Sequence, residues 1–278
     1  MLSKPRENNI KEISLIILIV IISSVVTLYC QYPLLINKYA VHDDVRQEVY
    51  MYLQFREPGL FQGDLITDYY KKWNPWGLTI FYFIVSLFYD PIQFTKILLF
   101  FLCGISTFYM FMIGKLLKGN IAGFLVAFMF IFVAWSREFF EFFGPGGAAD
   151  FGIPLFIMFV YYFLKKDFLK TGIIIIFLSI FYPPLLLLSL LIYIFSSIFD
   201  FFRTHKIEWK KLHFFIVTLF IIIVLIGLKY LTGKIEIFTL KEMKLMEEFY
   251  PGGRKPIFFP NFFEKLDNSE SGFAIDYP

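Results

Sequence analysis

The chain has 278 residues, of which 58% are hydrophobic and 22% aromatic, whereas only 18% are charged. Soluble domains carry about one quarter charged residues, and several apolar runs approach the roughly 20 residues that cross a bilayer, so the composition indicates a multi-pass membrane protein. The net charge is only +3 and the lysines lie in short loops, which argues against a nucleic-acid partner. Two cysteines and three histidines without a paired motif predict neither a disulfide framework nor a built-in metal cage.

The first apolar run begins near Ile13 and continues to about residue 36. A cleaved signal peptide needs a short apolar core and small residues at the cleavage site. This core is long, and Tyr29 directly before Cys30 suits neither signal peptidase nor lipoprotein processing. The run therefore predicts an uncleaved first span that follows a basic, cytoplasmic N-terminus.

Further apolar segments follow along the chain. They cover roughly residues 74–89, 92–114, 121–136, 151–164, 171–199 and 212–231. Segment 74–89 is ambiguous, because it could span the membrane or lie flat in its interface. If it lies flat, the basic clusters at 115–118, 165–170 and 203–211 all fall on the cytoplasmic side, as the positive-inside rule favours. We therefore predict interfacial helices in the first outer loop, where Trp73 and its aromatic neighbours suit the membrane surface.

Segment 171–199 is too long for one ordinary span, and Pro183-Pro184 divides it. We predict two short helices that meet there on the outer side, whereas a single kinked helix would reverse the orientation of the later residues. The predicted fold class is thus an all-α, multi-pass transmembrane bundle of about seven spans at residues 1–231. Residues 232–278 form an outer loop, which we expect to be truncated before further spans, because its several phenylalanines suit a loop that folds back toward the membrane.

Acidic residues are concentrated in the predicted outer loops, and the span interiors carry almost no charge. A transporter or ion pump usually needs ionisable groups at mid-membrane depth, so this distribution favours chemistry at the membrane surface. Asp43 and Asp44 come directly after the first span. Asp44 could be a helix N-cap with Gln47 as its partner three residues on, or either carboxylate could act as a general base.

The residues after Asp44 have the spacing of a helix. Val45, Val49, Tyr52 and Leu53 would form one apolar face, and the Pro-Gly pair at 58–59 would end the helix. This helix would hold the two acids beside the membrane.

The second outer loop contains Arg137 and Asp150 on either side of a Gly-Pro-Gly-Gly turn. This turn is not a phosphate-binding loop, since no Lys-Ser or Lys-Thr follows it. Its phenylalanines favour an aromatic belt at the interface, whereas Arg137 and Asp150 are better candidates for a site. In the third outer segment, Arg254 and Lys255 follow another turn, as a solvated loop or as cations for an anionic group.

The run Asp43-Asp44-Val45-Arg46-Gln47 after the first span, together with the topology, resembles the GT-C superfamily of integral membrane glycosyltransferases. The pattern is similar to the Asp-Glu-x-Arg-Tyr motif of bacterial aminoarabinose transferases, with relatives among protein O-mannosyltransferases. By this resemblance Asp43 matches the catalytic Asp, Asp44 replaces the Glu and Arg46 matches the Arg. Asp150 corresponds to the acid of the second outer loop. Gln47 departs from the motif's Tyr, which leaves the donor sugar and the acceptor open.

The resemblance implies an inverting transferase that uses a polyprenyl-phosphate-linked sugar at the outer face of a bacterial or archaeal plasma membrane. Asp43 would be the general base, and Arg46, Arg137 or Arg254 would stabilise the leaving phosphate, with Lys255 close to Arg254. No cofactor is required, although Asp43 and Asp150 could hold a divalent metal as in some relatives. Its partners would be the lipid-linked donor and membrane lipids. The rival interpretation is a non-catalytic membrane protein, either a transporter fragment or a scaffold.

Overall fold

A computed structural model describes residues 4–42, 45–134, 146–205, 209–233 and 244–245. The chain divides into two compact units, Met1–Gly233 and Lys234–Pro278, and the helices described here belong to the first. They are α1 (Lys4–Ile36), a π-helical turn (Val45–Val49) that runs into a 3₁₀ helix (Tyr50–Phe55), α2 (Leu65–Trp73), α3 (Trp76–Ser86), α4 (Pro91–Ala134), α5 (Ala148–Leu164), α6 (Phe168–Phe181), α7 (Pro183–Thr204) and α8 (Trp209–Gly233).

Four of these helices contain stretches that are long and apolar enough to cross a membrane. The stretches are Glu12–Ile36, Pro91–Ala134, Pro183–Thr204 and Trp209–Lys229. The regular secondary structure of the described residues is entirely helical, and the long apolar helices indicate an integral membrane protein, as the composition predicts. The apolar helices α3, α5 and α6 are shorter, with 11, 17 and 14 residues. The count of seven spans and the interfacial position of α3 stay predictions.

Helix α4 is a helical hairpin with two antiparallel arms. Its backbone is non-helical at Lys118 and at Gly119, where φ is +79°, a conformation that glycine adopts at little cost. A Cβ atom at Gly114 would lie only 2.7 Å from the carbonyl oxygen of Ala122, so the arms touch backbone to backbone. This confirms that the predicted segments 92–114 and 121–136 are separate helices.

Helices α6 and α7 are separated at Tyr182, whose backbone is extended, with φ −147° and ψ 84°. Pro183 and Pro184 occupy the first positions of α7. Proline is tolerated there because those amides have no partner within the helix. The predicted division of segment 171–199 is confirmed.

Helix α2 in the first loop begins at a capped residue. Oδ2 of Asp64 accepts hydrogen bonds from the hydroxyl and the amide of Thr67, at 2.6 and 2.9 Å. The Thr67 hydroxyl, followed by its amide, lowers the pKa of Asp64. Asn74 and Pro75 then separate α2 from α3.

Contacts between α1 and the first arm of α4 define two ends of the bundle. Glu12 forms an ion pair with Lys115, and the Thr107 hydroxyl donates to Ser23 Oγ at 3.0 Å. At the opposite end, Lys96 Nζ donates to the carbonyl oxygen of Asn37 at 2.8 Å. The two helices are therefore antiparallel. We call the end with Glu12 and Lys115 the lysine end, and the end with Asn37 and Lys96 the site end.

The other basic clusters also lie at the lysine end. The hydroxyls of Tyr109 and Tyr162 are 3.0 Å apart, which brings the end of α5 to the end of α4's first arm. Lys211 Nζ lies 5.8 Å from the centre of the Phe163 ring and 2.8 Å from Asp200 Oδ2. The helix packing thus places at one end of the bundle the basic clusters that the positive-inside rule assigns to one side of the membrane. That this end faces the cytoplasm stays a prediction.

We expect that cysteines introduced as Lys118→Cys and Lys166→Cys resist impermeant thiol reagents in intact cells. The background would be Cys30→Ser with Cys103→Ser. Tyr39→Cys, at an exposed position of the site end, is the matched control and should react. Strong labelling at 118 and 166 with no labelling at 39 would reverse the predicted orientation.

Candidate functional site

The segment from Val45 to Phe55 packs the first loop onto the bundle. Val45, Val49 and Tyr52 are buried, as the helical spacing predicts, and Leu53 is half-buried. The geometry differs from that of one regular helix, because a π-helical turn changes to a 3₁₀ helix at Tyr50. The anchored segment holds Glu48 against the start of α5.

Two carboxylates meet at the first residues of α5. Oδ2 of Asp150 accepts hydrogen bonds from the amides of Gly146 and Gly147, both at 2.7 Å. Oε2 of Glu48 accepts from the next amide, that of Ala148, at 3.2 Å. A helix start leaves amides without a partner in the helix and has positive polarity, so it stabilises negative charge. We call Glu48 and Asp150 the carboxylate pair.

Two glycines form the turn that the carboxylate pair contacts. A Cβ atom at Gly147 would lie 2.8 Å from Glu48 Oε2 and 3.6 Å from Asp150 Oδ2. Gly146 has φ +103°, and a Cβ atom there would overlap the hydroxyl of Tyr82. That hydroxyl donates to the Gly146 carbonyl oxygen at 2.8 Å. The glycine turn therefore lets two side chains and a tyrosine approach one stretch of backbone.

We expect Gly146→Ala to destabilise the protein by about 1–3 kcal/mol, the usual cost of holding a non-glycine residue in such a backbone conformation. Gly104→Ala in α4 is the matched control, because a Cβ atom there meets nothing within 4 Å. Thermal unfolding in detergent would measure both variants. Equal melting temperatures for the two would show that the turn at Gly146 does not depend on glycine.

Asn74, between α2 and α3, forms hydrogen bonds to the segment that contains Glu48. Its Nδ2 donates to the carbonyl oxygen of Glu48 at 3.0 Å and to the Tyr52 hydroxyl at 3.1 Å. Burial raises the pKa of Tyr52 to about 12, so its hydroxyl stays neutral and can accept this bond. The Tyr52 ring also stacks on Tyr82, with the ring centres 5.0 Å apart. A side chain from the α2–α3 junction therefore fixes the backbone of Glu48 through a hydrogen bond.

An apolar groove is lined by residues of α3, α4, α5 and α6. It encloses about 440 Å³ and continues along α4 and α5 toward the middle of the bundle. Its lining is apolar and includes Phe81, Leu98, Ile105, Phe151, Met158 and Phe181. Phe81 precedes Tyr82, and Phe151 follows Asp150. The groove is thus lined by residues that are direct sequence neighbours of Tyr82 and Asp150, which belong to the site.

The predicted site residues have different outcomes. Asp150 is only 3% exposed and lies in the site, and Arg46 is exposed on the π-helical turn. Asp43, Asp44, Arg137, Arg254 and Lys255 lie outside the described residues.

Glu48 is a further acidic residue of the first outer loop, for which the sequence predicts no specific role. The signal that could have found it is helical spacing. Glu48 lies three residues after Val45 and directly before Val49, and both valines are buried, so the spacing places Glu48 on the packed side of the segment. Its partner, the amide of Ala148 at the start of α5, is 100 residues away and cannot be predicted from the sequence around Glu48.

A divalent metal between Asp43 and Asp150 is part of the family resemblance. Within the described ranges, no group of three or more His, Cys, Asp or Glu side chains could hold a metal ion. Oδ2 of Asp150 already accepts two backbone amides. Asp43 lies outside the described residues, and the described donors by themselves do not form a metal centre.

Comparisons with known proteins found no match among family models, curated proteins or solved structures. The resemblance to GT-C enzymes therefore rests on the residues of the first loop and on the topology. The structure defines the class, a helical integral membrane protein with a carboxylate pair at one end, in which Asp150 is buried and Glu48 half-buried. Its function has to be argued from this site.

Proposed function

We propose that this chain is a membrane glycosyltransferase of the GT-C type, which uses a polyprenyl-phosphate-linked sugar at the outer face of the membrane. The observation that carries the proposal is the carboxylate pair together with the apolar groove, whose lining includes Phe151, the residue after Asp150. Acidic groups at a membrane surface can orient and deprotonate hydroxyls, and a groove that leads into the bundle suits a long hydrocarbon chain. A lipid-linked sugar has both parts.

The proposed reaction is one displacement at the sugar. The acceptor oxygen bonds to the anomeric carbon from the face opposite the leaving group, and the bond from that carbon to the phosphate oxygen breaks. The electron pair leaves with the lipid phosphate, the acceptor proton passes to a carboxylate, and the configuration inverts. The resemblance assigns the base to Asp43, with Asp44 as the alternative, and Glu48 and Asp150 orient the polar groups of the substrates.

The charge that develops on the lipid phosphate needs a cation. Arg46 is the described candidate, because it is exposed two residues before Glu48 on the same turn. The resemblance and the loop positions add Arg137, Arg254 and Lys255. Replacing each arginine with glutamine would rank their contributions.

A non-catalytic scaffold is the second candidate function. The observation that favours it is that both carboxylates already bind backbone amides of α5, an arrangement that also suits a purely structural joint. A scaffold would keep its partners when the acids are neutralised to amides, whereas an enzyme would lose its rate.

Membranes that contain the protein should transfer label from a polyprenyl-phosphate sugar to endogenous acceptors. The assay would offer a panel of lipid-linked sugars, each radiolabelled in the sugar, and would measure both labelled product and released polyprenyl phosphate. Membranes from cells without the gene are the control. Failure to consume any donor in the panel, with protein that is folded by thermal unfolding, would overturn the proposal in favour of the scaffold.

A further inference from the structure

Lys229, near the end of α8, makes a contact far from its own helix. Its Nζ donates to the carbonyl oxygen of Trp73 at 3.1 Å and to that of Asn74 at 2.9 Å. Trp73 is the last residue of α2, and Asn74 caps it. The last carbonyls of a helix have no partner in the helix and carry partial negative charge, so an ammonium group there is stabilising. Lys229 therefore caps the C-terminal end of α2 with a positive charge.

The residue that Lys229 holds is also the one that supports Glu48. The amide of Asn74 donates to the Tyr70 carbonyl oxygen at 2.8 Å, and its side chain donates to the Glu48 carbonyl oxygen and the Tyr52 hydroxyl. Asn74 is 7% exposed. The Asn74 side chain is thus buried, whereas the two hydrogen bonds from Lys229 lie at its partly exposed edge. Hydrogen bonds that share one residue restrict one another.

Helix α8 packs mainly against α6. Its residue Lys229 also donates hydrogen bonds to the first loop, at Trp73 and Asn74. The contacts form a continuous route from the Lys229 ammonium group to the Asn74 carbonyl oxygen, and from the Asn74 carboxamide to the backbone of Glu48.

We propose that Lys229 is a positioning residue, which fixes Asn74 and through it the placement of Glu48 at the start of α5. The placement of Asn74 and Glu48 by Lys229 does not depend on what the protein does, whereas the effect on catalysis rests on the proposed transferase function. By this proposal α8 sets the geometry of a site to which it contributes no carboxylate.

Hydrogen–deuterium exchange on the full chain in nanodiscs tests the structural part. Lys229→Met should speed amide exchange in residues 45–55 and 70–79 by roughly tenfold, because hydrogen bonds to charged donors are among the stronger ones. Lys229→Arg should restore slow exchange, since a guanidinium group can also donate to two carbonyls. Lys96→Met is the matched control, because Lys96 likewise donates to carbonyls at a helix end, those of Asn37 and Lys38. It should leave exchange in 45–55 unchanged.

A sugar-transfer assay on the same samples tests the consequence for the reaction. Lys229→Met should lower kcat by about tenfold to 10²-fold with little change in KM, because a small misplacement of a reacting group costs rate. Lys229→Arg should recover most of the rate, and Lys96→Met should retain it. Unchanged exchange in residues 45–55 for Lys229→Met would overturn the inference whether or not the protein transfers sugar. An exchange effect without any wild-type transfer would leave the inference standing and count against the proposed function alone.

Discussion

Asp43→Asn should abolish sugar transfer while membrane insertion stays intact. Loss of a general base typically costs about 10²–10⁴-fold in rate. Asparagine keeps the shape of aspartate and can still cap a helix, so the variant separates proton transfer from capping. The measurement is the rate of label transfer from a lipid-linked sugar, normalised to inserted protein.

Asp44→Asn is the matched control for this prediction, because the two residues are adjacent and chemically identical. It should retain most of the rate if Asp44 only caps the helix that begins at Val45. Transfer that survives Asp43→Asn and falls with Asp44→Asn would assign the base to the neighbour. Full activity in both variants would remove the general base from the first-loop motif.

Asp150→Ala should lower the free energy of unfolding by about 2 kcal/mol or more. The substitution leaves the buried amides of Gly146 and Gly147 without their acceptor, and each unsatisfied buried group typically costs about 1–3 kcal/mol. Asp150→Asn keeps an acceptor oxygen in the same place and should cost much less. Thermal and denaturant unfolding in detergent would measure both.

A comparison with Glu48→Ala extends this prediction. Glu48 and Asp150 bind consecutive amides, so their substitutions should be coupled and their effects on unfolding should not add. Equal destabilisation by Asp150→Ala and Asp150→Asn would contradict the proposed bonds to the turn. Additive effects of Glu48→Ala and Asp150→Ala would show that the two carboxylates do not share one support.

Much of the fold is predictable because its causes are local. Apolar runs of membrane length predict the long helices, Pro183-Pro184 predicts the break between α6 and α7, and the basic stretch that ends at Gly119 predicts the turn of the α4 hairpin. In each case the chemistry of a few neighbouring residues decides the backbone conformation. The change from π-helical to 3₁₀ geometry at Tyr50 has no such local signal, and the residues around it, Val49 and Tyr52, are buried against the bundle.

The site is less predictable because it joins distant parts of the chain. Asp150 was a candidate because it flanks a glycine turn, and its amide bonds explain why it lies there. Glu48 reaches the same turn only after the first loop has folded onto α3 and α4. Asn74 and Lys229 reach their partners in the same way, through contacts between separate helices. Such pairings depend on tertiary packing, which periodicity and motif spacing in one sequence do not contain.

Photo-crosslinking with a polyprenyl phosphate that carries a photoreactive group in its chain tests the central claim most directly. The chain should crosslink to the apolar groove, in peptides that contain Leu98–Ile105 and Phe151–Met158, and an unlabelled polyprenyl-phosphate sugar should compete, whereas a plain phospholipid should not. The apolar cavity of about 550 Å³ between α7 and α8 at the lysine end, lined by Ile194, Ile198 and Phe202 among others, is an internal control. Crosslinks that are confined to this second cavity, or that compete equally with phospholipid, would contradict the proposed binding of a lipid-linked substrate beside the carboxylate pair.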